Sequence, residues 1–157
     1  MKSVAITVVC ASLITLPASA TPLPSDIALA YKAAGMVQKD GHWTGCPDDD
    51  NGMADIQPED YRDINGDGIA DVVITDSGTF CYGMTGQGFS LLSKASGKWQ
   101  LIYTSEGIPT FLPTKVKTPG GWPDVMIGGP GFCFPVMRWN GKTYVQNRKQ
   151  ADSGGSC

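Results

Sequence analysis

The chain has 157 residues, a formal net charge of −3 and 41% hydrophobic side chains, with 20 glycines and 11 prolines. That length suits one domain, and that apolar fraction excludes wholesale disorder. The acidic balance argues against a nucleic-acid binder, and high glycine with few charges favours a turn-rich β protein over a helical bundle.

The first element is an export signal. Lys2 precedes an apolar run from Val4 to Leu16, Pro17 breaks the run, and Ala18-Ser19-Ala20 has the form of a cleavage site. The run of about 13 residues is short for a membrane-spanning helix, so residues 1–20 are expected to be a secretory signal peptide. No other segment is long and apolar enough to span a membrane. Cleavage leaves one β-rich domain over 21–157, destined for the periplasm or the medium. Cys10 leaves with the signal, and Cys46, Cys81, Cys133 and Cys157 remain. An even count in an exported chain implies two disulfides. Pairing neighbours along the chain gives Cys46–Cys81 and Cys133–Cys157, with Cys81–Cys133 as the rival. No C-x-x-C spacing points to zinc.

Residues 26–36 read as a helix. Ser25 is placed to cap it, Asp26 lies in its first turn, and Ile27, Ala30, Tyr31 and Ala34 recur at helical spacing. Gly35 is placed to end it in the left-handed conformation. The apolar stripe is expected to pack on a sheet.

Between Asp40 and Asp76 there are eleven acids and one base, Arg62. Such a block repels itself unless it is solvated or neutralised, and a divalent cation is one means of neutralising it. Asp48-Asp49-Asp50-Asn51-Gly52 reads as a solvated loop, because consecutive side chains point apart. A second ion site is the alternative there. Asp63-Ile-Asn65-Gly-Asp67-Gly-Ile69-Ala-Asp71 is different. Alternating oxygen side chains converge when the chain curls, Gly68 supplies the turn, and calcium takes six to eight oxygens at about 2.3–2.6 Å. Ile74 stands where an EF-hand has its closing glutamate, and the segment that follows is a strand. The site is therefore expected to be a loop-to-strand calcium site of structural role. The alternative is an ion-free Asx-type turn.

This loop resembles the calcium loop of FG-GAP or VCBS-type repeats, the integrin-type propeller repeat. The resemblance is close over Asp63–Ile74 and loose over 60–146. It implies Asp63, Asn65, Asp67 and Asp71 as side-chain ligands, Ile69 as a carbonyl ligand, and a protein or glycan as partner. Two repeat-like units are too few for a closed propeller, and Pro119–Asp124 has lost the ligands in the second. The chain also looks like small secreted bacterial proteins, through Gly121–Pro135 and the Arg138–Tyr144 segment.

From residue 70 onward the pattern is strand and turn. Short apolar runs fall at 71–75, 88–94, 98–104, 123–127, 132–139 and 142–146. Ala95-Ser96-Gly97 and Asn140-Gly141 are the hairpin signals. Prolines 109, 113 and 119 make 105–121 read mostly as loop. Ala70–Ile74 matches Pro123–Ile127, Phe80-Cys81 matches Phe132-Cys133, and Gly97-Lys98 matches Gly141-Lys142. The chain thus carries two repeats, 63–104 and 119–146, each a β-meander that must pack on the other to bury its face. The fold expected is mainly β (α+β): two packed meanders, one N-terminal helix and two disulfides.

Catalytic signals are weak. His42 is the lone histidine and has no matched nucleophile. Glutamates 59 and 106 are the only two of their kind. Trp43, Trp99, Trp122 and Trp139, with Tyr82, Phe132 and Phe134, read first as packing between the sheets and second as a binding surface. Gly128–Gly131 lacks a following helix for phosphate and reads as a tight turn between the repeats. The leading expectation is a non-enzymatic exported module that binds a protein or glycan, and it predicts a contiguous exposed aromatic patch. A small hydrolase would instead need a cleft joining the acidic segment to an ionisable partner such as His42 or Arg138. A purely structural accessory domain would show neither.

Overall fold

The computed structural model describes residues 24–113, 118–155 and 157. The expected signal peptide lies outside the described residues. Helix α1 is Pro24–Ala33. It begins earlier than the cap reading allows, because Pro24 takes the first turn, where its missing N–H is not needed. Ser25 therefore sits inside the helix. The end also comes sooner than residue 36. Gly35 N–H donates to the Lys32 carbonyl and Met36 N–H to the Tyr31 carbonyl, both at 3.0 Å. This is a Schellman ending, and Met36 and Tyr31 are buried in one cluster.

Strands β1 (Val37–Lys39) and β2 (His42–Thr44) form a hairpin. Asp40 and Gly41 have φ of 49° and 86°, as a two-residue turn between twisted strands requires. Short strands β3 (Ala54–Asp55) and β4 (Tyr61–Arg62) both pair with β5 (Asp71–Ser77). After β5 come the four-residue helix α2 (Thr79–Tyr82), β6 (Gln87–Ser93) and β7 (Gln100–Glu106). Together these strands make an antiparallel sheet ordered β3-β5-β6-β7, with β4 beside β5. The second sheet holds β8 (Ile108–Leu112), β9 (Asp124–Gly128), β10 (Cys133–Trp139) and β11 (Tyr144–Ala151), in the order β11-β10-β9-β8. The protein is mainly β with an N-terminal helix. Its two disulfides join Cys46 to Cys81 and Cys133 to Cys157, with Cα separations of 5.9 and 6.0 Å.

Side chains alternate across the first sheet, so its two faces serve two cores. Val72, Ile74 and Leu92 face α1, packed with Tyr31 and Trp99. Val73, Phe89 and Leu91 face the second sheet and meet Trp122, Val125 and Tyr144. Burying each such side chain contributes about 1.5–3 kcal/mol. Phe89, Tyr103, Tyr144, Trp139 and Trp122 form a chain of ring contacts through the interior, with centroids 5.1–6.2 Å apart. The tryptophans are therefore packing residues. Trp99 and Trp122 are buried, Trp139 is half-buried, and Trp43 stacks on Tyr31.

Four expectations are corrected. The 105–121 region is not mostly loop, since β8 lies within it. Pro109 is tolerated there because β8 is an edge strand. Strand β11 continues past Gln146 to Ala151, paired with β10 across a bulge at Val136/Met137. Asn140-Gly141 opens a four-residue connection between the paired Trp139 and Tyr144. In it, the Asn140 side chain accepts the N–H groups of Lys142 and Thr143, both at 2.9 Å. The Gly128–Gly131 segment connects β9 to β10 inside the second repeat, not one repeat to the other. The chain passes between the sheets at Gly107 alone, which separates β7 from β8. Its φ is 115°, and a Cβ there would lie 2.5 Å from Ile127 Cγ2 and 2.6 Å from the Gly128 carbonyl oxygen.

Candidate functional site

The expected calcium loop leads directly into β5 and is curled around Asp63. Asp63 Oδ1 accepts the N–H groups of Gly66 (2.7 Å) and Asp67 (3.2 Å), and Oδ2 accepts that of Gly68 (2.8 Å). Asn65 Oδ1 accepts the Asp67 N–H at 2.9 Å, and Asn65 Nδ2 donates to Asp67 Oδ2 at 3.2 Å. Asp67 Oδ1 accepts the Ile69 N–H at 2.8 Å. The structure thus brings Asp63, Asn65 and Asp67 together, with their oxygens turned onto the loop's own N–H groups. Among the described residues, no three acidic, histidine or cysteine side chains converge as a ready metal cage.

Asp71 is the exception in this network. It is fully buried, and its Oδ2 accepts the Ile64 N–H at 3.0 Å. Its Oδ1 has no hydrogen-bond partner. Burial pushes the Asp71 carboxyl above the usual carboxylate range, opposed by the nearby Ser93 hydroxyl and the Ile64 N–H. A buried oxygen left bare costs free energy, and a bound cation would remove that cost. The donor set fits calcium: carboxylate and amide oxygens only, on a loop two of whose glycines have positive φ. The second repeat places Asp124 at the matching strand start and fills the need differently. Arg138 Nε and Nη2 reach Asp124 at 2.9 and 2.8 Å, and Arg148 Nη1 reaches it at 2.6 Å. Hydrogen bonds from Arg138, and then Arg148, hold the Asp124 carboxyl below its usual range.

The Asp48–Asp50 stretch is not simply solvated. Asp49 is buried, and its carboxylate accepts the N–H groups of Phe80 (3.0 Å) and Asn51 (2.9 Å), which hold it below the usual range. It anchors the start of α2. Asp50 pairs with Lys39 at 3.1 Å on the surface. His42 is half-buried in β2 opposite Lys39.

Two surface features remain, and the sequence singles out Phe132 and Tyr82 among their residues for a binding surface, but not Phe80 or Met84. Phe80, Met84 and Phe132 are 72%, 92% and 91% exposed. Phe80 and Phe132 follow the C-terminal ends of β5 and β9, the strands that open the two repeats, and each precedes a disulfide cysteine. The loops bearing Met84 and Phe132 meet, since a Cβ on Gly129 would sit 3.6 Å from Thr85 Oγ1. The acidic loop lies at the other end of β5, about 23 Å away along the strand. The second feature is a cleft of about 340 Å³ on the outer face of the first sheet. Met36 and Tyr82 wall it, Ser90 and Thr104 line it, and Asp76 and Glu106 face it. This cleft sets the last acid of the acidic segment beside Glu106, while His42 and Arg138 are not among its lining residues.

No helix among the described residues is long and apolar enough to cross a membrane. Comparison with protein-family models, with curated proteins and with solved structures returned no match.

Proposed function

We propose that the chain is an exported, non-enzymatic binding module, stiffened by calcium in the 63–71 loop, that engages a protein or glycan through its Phe80–Met84–Phe132 end. The exposure of these three side chains is the observation that carries the reading. Large apolar residues placed in water beside disulfide anchors serve no packing purpose, and rigid presentation lowers the entropy cost of binding. A purely structural accessory domain has no need of them. The two disulfides and the expected signal support export, since such bridges persist in oxidising compartments.

A photoreactive phenylalanine analogue at position 132 tests the reading, with one at Lys142 as control. On incubation with cell envelopes, position 132 should give a discrete cross-linked product that Met84→Ser removes. Equal labelling from both positions would sink the proposal.

Asp63, Asn65, Asp67 and Asp71, with the Ile69 carbonyl, would hold the ion. Its contribution is electrostatic: it would neutralise the acidic segment and tie the loop to β5. A site of about 10⁻⁴–10⁻³ M suffices outside the cell. At tenfold excess over the dissociation constant, the ion stabilises by about 1.4 kcal/mol. The melting temperature should rise between chelator and millimolar calcium, and an unchanged value would refute the ion's role.

A further inference from the structure

Asp76 is 1% exposed, yet no cation pairs with it among the described residues. Its Oδ2 accepts the Gly45 N–H at 3.0 Å and the Tyr82 hydroxyl at 2.6 Å, and its Oδ1 lies 3.5 Å from Thr44 Oγ1. These are neutral donors. Asp124 has two arginines and the partly buried Asp26 has Lys94 at 2.6 Å, whereas Asp76, like Asp49 and Asp71, has no cation among the described residues. Buried charge is ordinarily paired, so the missing positive charge at Asp76 asks for a source.

The cleft supplies a place for it. Asp76, Gly88 and Glu106 stand in one row across β5, β6 and β7. Gly88 has no side chain, and the Tyr82 ring lies over it: a Cβ there would be 2.5 Å from Tyr82 Cε1. Two carboxylates thus flank one aromatic ring, with the Ser90 and Thr104 hydroxyls beside them. Their strands are two apart, about 10 Å. An elongated cation would span that separation, with its charged ends at the carboxylates and its methylenes on Met36 and the Tyr82 ring.

We infer that this cleft is a binding site for a small organic cation, an ammonium or guanidinium on a short aliphatic chain. It stands apart from the calcium reading and from the Phe80–Phe132 end. The cleft volume matches the lower end of small-ligand pockets.

Titration in the presence of chelator tests the inference, with cadaverine and agmatine as probes and 1,5-pentanediol as the neutral control. Both cations should give saturable NMR shifts at Tyr82, Ser90 and Thr104, weakened by salt, while the diol gives none. Glu106→Gln, a change at an exposed position, should weaken binding at least about fivefold with the melting temperature unchanged. Glu106→Lys, which supplies its own ammonium, should abolish it. Nα-acetyl-lysine amide carries one ammonium, against two on cadaverine, on a peptide unit. Its binding more tightly than cadaverine would mark a partner's side chain as the source of the cation. No saturable shift up to tens of millimolar, equal response to the diol, or full affinity in Glu106→Gln would each overturn the proposal.

Discussion

Asp71 and Asp124 hold the same place in the two repeats, and both are buried, yet only Asp124 has its charge answered by the chain itself. Arg138 and Arg148 converge on Asp124, whereas Asp71 keeps one oxygen bare. The sequence repeat is thus a repeat of position, not of chemistry. One copy builds its own ion pair, and the other leaves a demand at the base of the acidic loop.

Opposite outcomes follow for the same substitution at these two positions. Asp71→Asn removes a buried charge and should leave the calcium-free protein as stable as the parent or more so, while abolishing any calcium-dependent rise in melting temperature. Asp124→Asn strands two arginines and should cost about 3 kcal/mol. Melting curves with chelator and with calcium read both.

Acid should act through Asp124. Its carboxyl is held below its unfolded value by the two arginines, so its stabilisation is complete above about pH 4 and is lost as pH falls through the folded value. The acid limb of stability against pH should therefore be shallower in Asp124→Asn than in the parent. Denaturant midpoints measured from pH 6 to pH 2 decide this.

Gly121 touches the acidic loop. The carbonyl oxygen of Asn65 occupies the space that a Cβ on Gly121 would need. Gly121→Ala should displace the loop as well as destabilise the fold by about 1–3 kcal/mol. The displacement should appear as amide shifts at Gly66 and Gly68. Shifts confined to 119–123 would contradict this coupling.

Gly107 carries the chain between sheets. Gly107→Ala meets Ile127 and the Gly128 carbonyl at about 2.5 Å while holding a φ of 115°. The combined strain and overpacking should cost about 3 kcal/mol, visible as a lower denaturant midpoint.

Each disulfide closes a modest loop, with sequence separations of 35 and 24 residues. Replacing Cys46 and Cys81 with serine should cost about 3–4 kcal/mol on the chain-entropy model. The Cys133/Cys157 pair should cost slightly less, because its loop is shorter. Equilibrium unfolding of the two double variants gives the comparison.

The helix, the strands that open each repeat and the favoured cysteine pairing were legible in the chain, because periodicity and spacing are local signals. Strand β8 was hidden by Pro109, which reads as a breaker until its edge position is known. The β1–β2 turn was written in Asp40-Gly41 but was overshadowed by the acids around it. The polar run Asn147–Gln150 concealed the end of β11, where Arg148 turns inward to Asp124 while Asn147 and Lys149 face solvent. At the candidate sites, the 63–71 pattern was explicit. The fate of the aromatic residues was not, since nothing local separates an inward Trp122 from an outward Phe132. Asp76, Glu106 and Tyr82 are brought together only by strand register, which no single segment encodes.

The single-residue crossing at Gly107 has a consequence for how the molecule is made. In the second sheet every pairing joins strands adjacent along the chain, and β5, β6 and β7 do likewise in the first. Each half can therefore zip up from its own turns before meeting the other, which keeps average contact separation low for a β protein and favours fast folding. It also makes the hinge between the halves the natural breaking point. Under force, the two sheets should part as units about Gly107 before either one unravels.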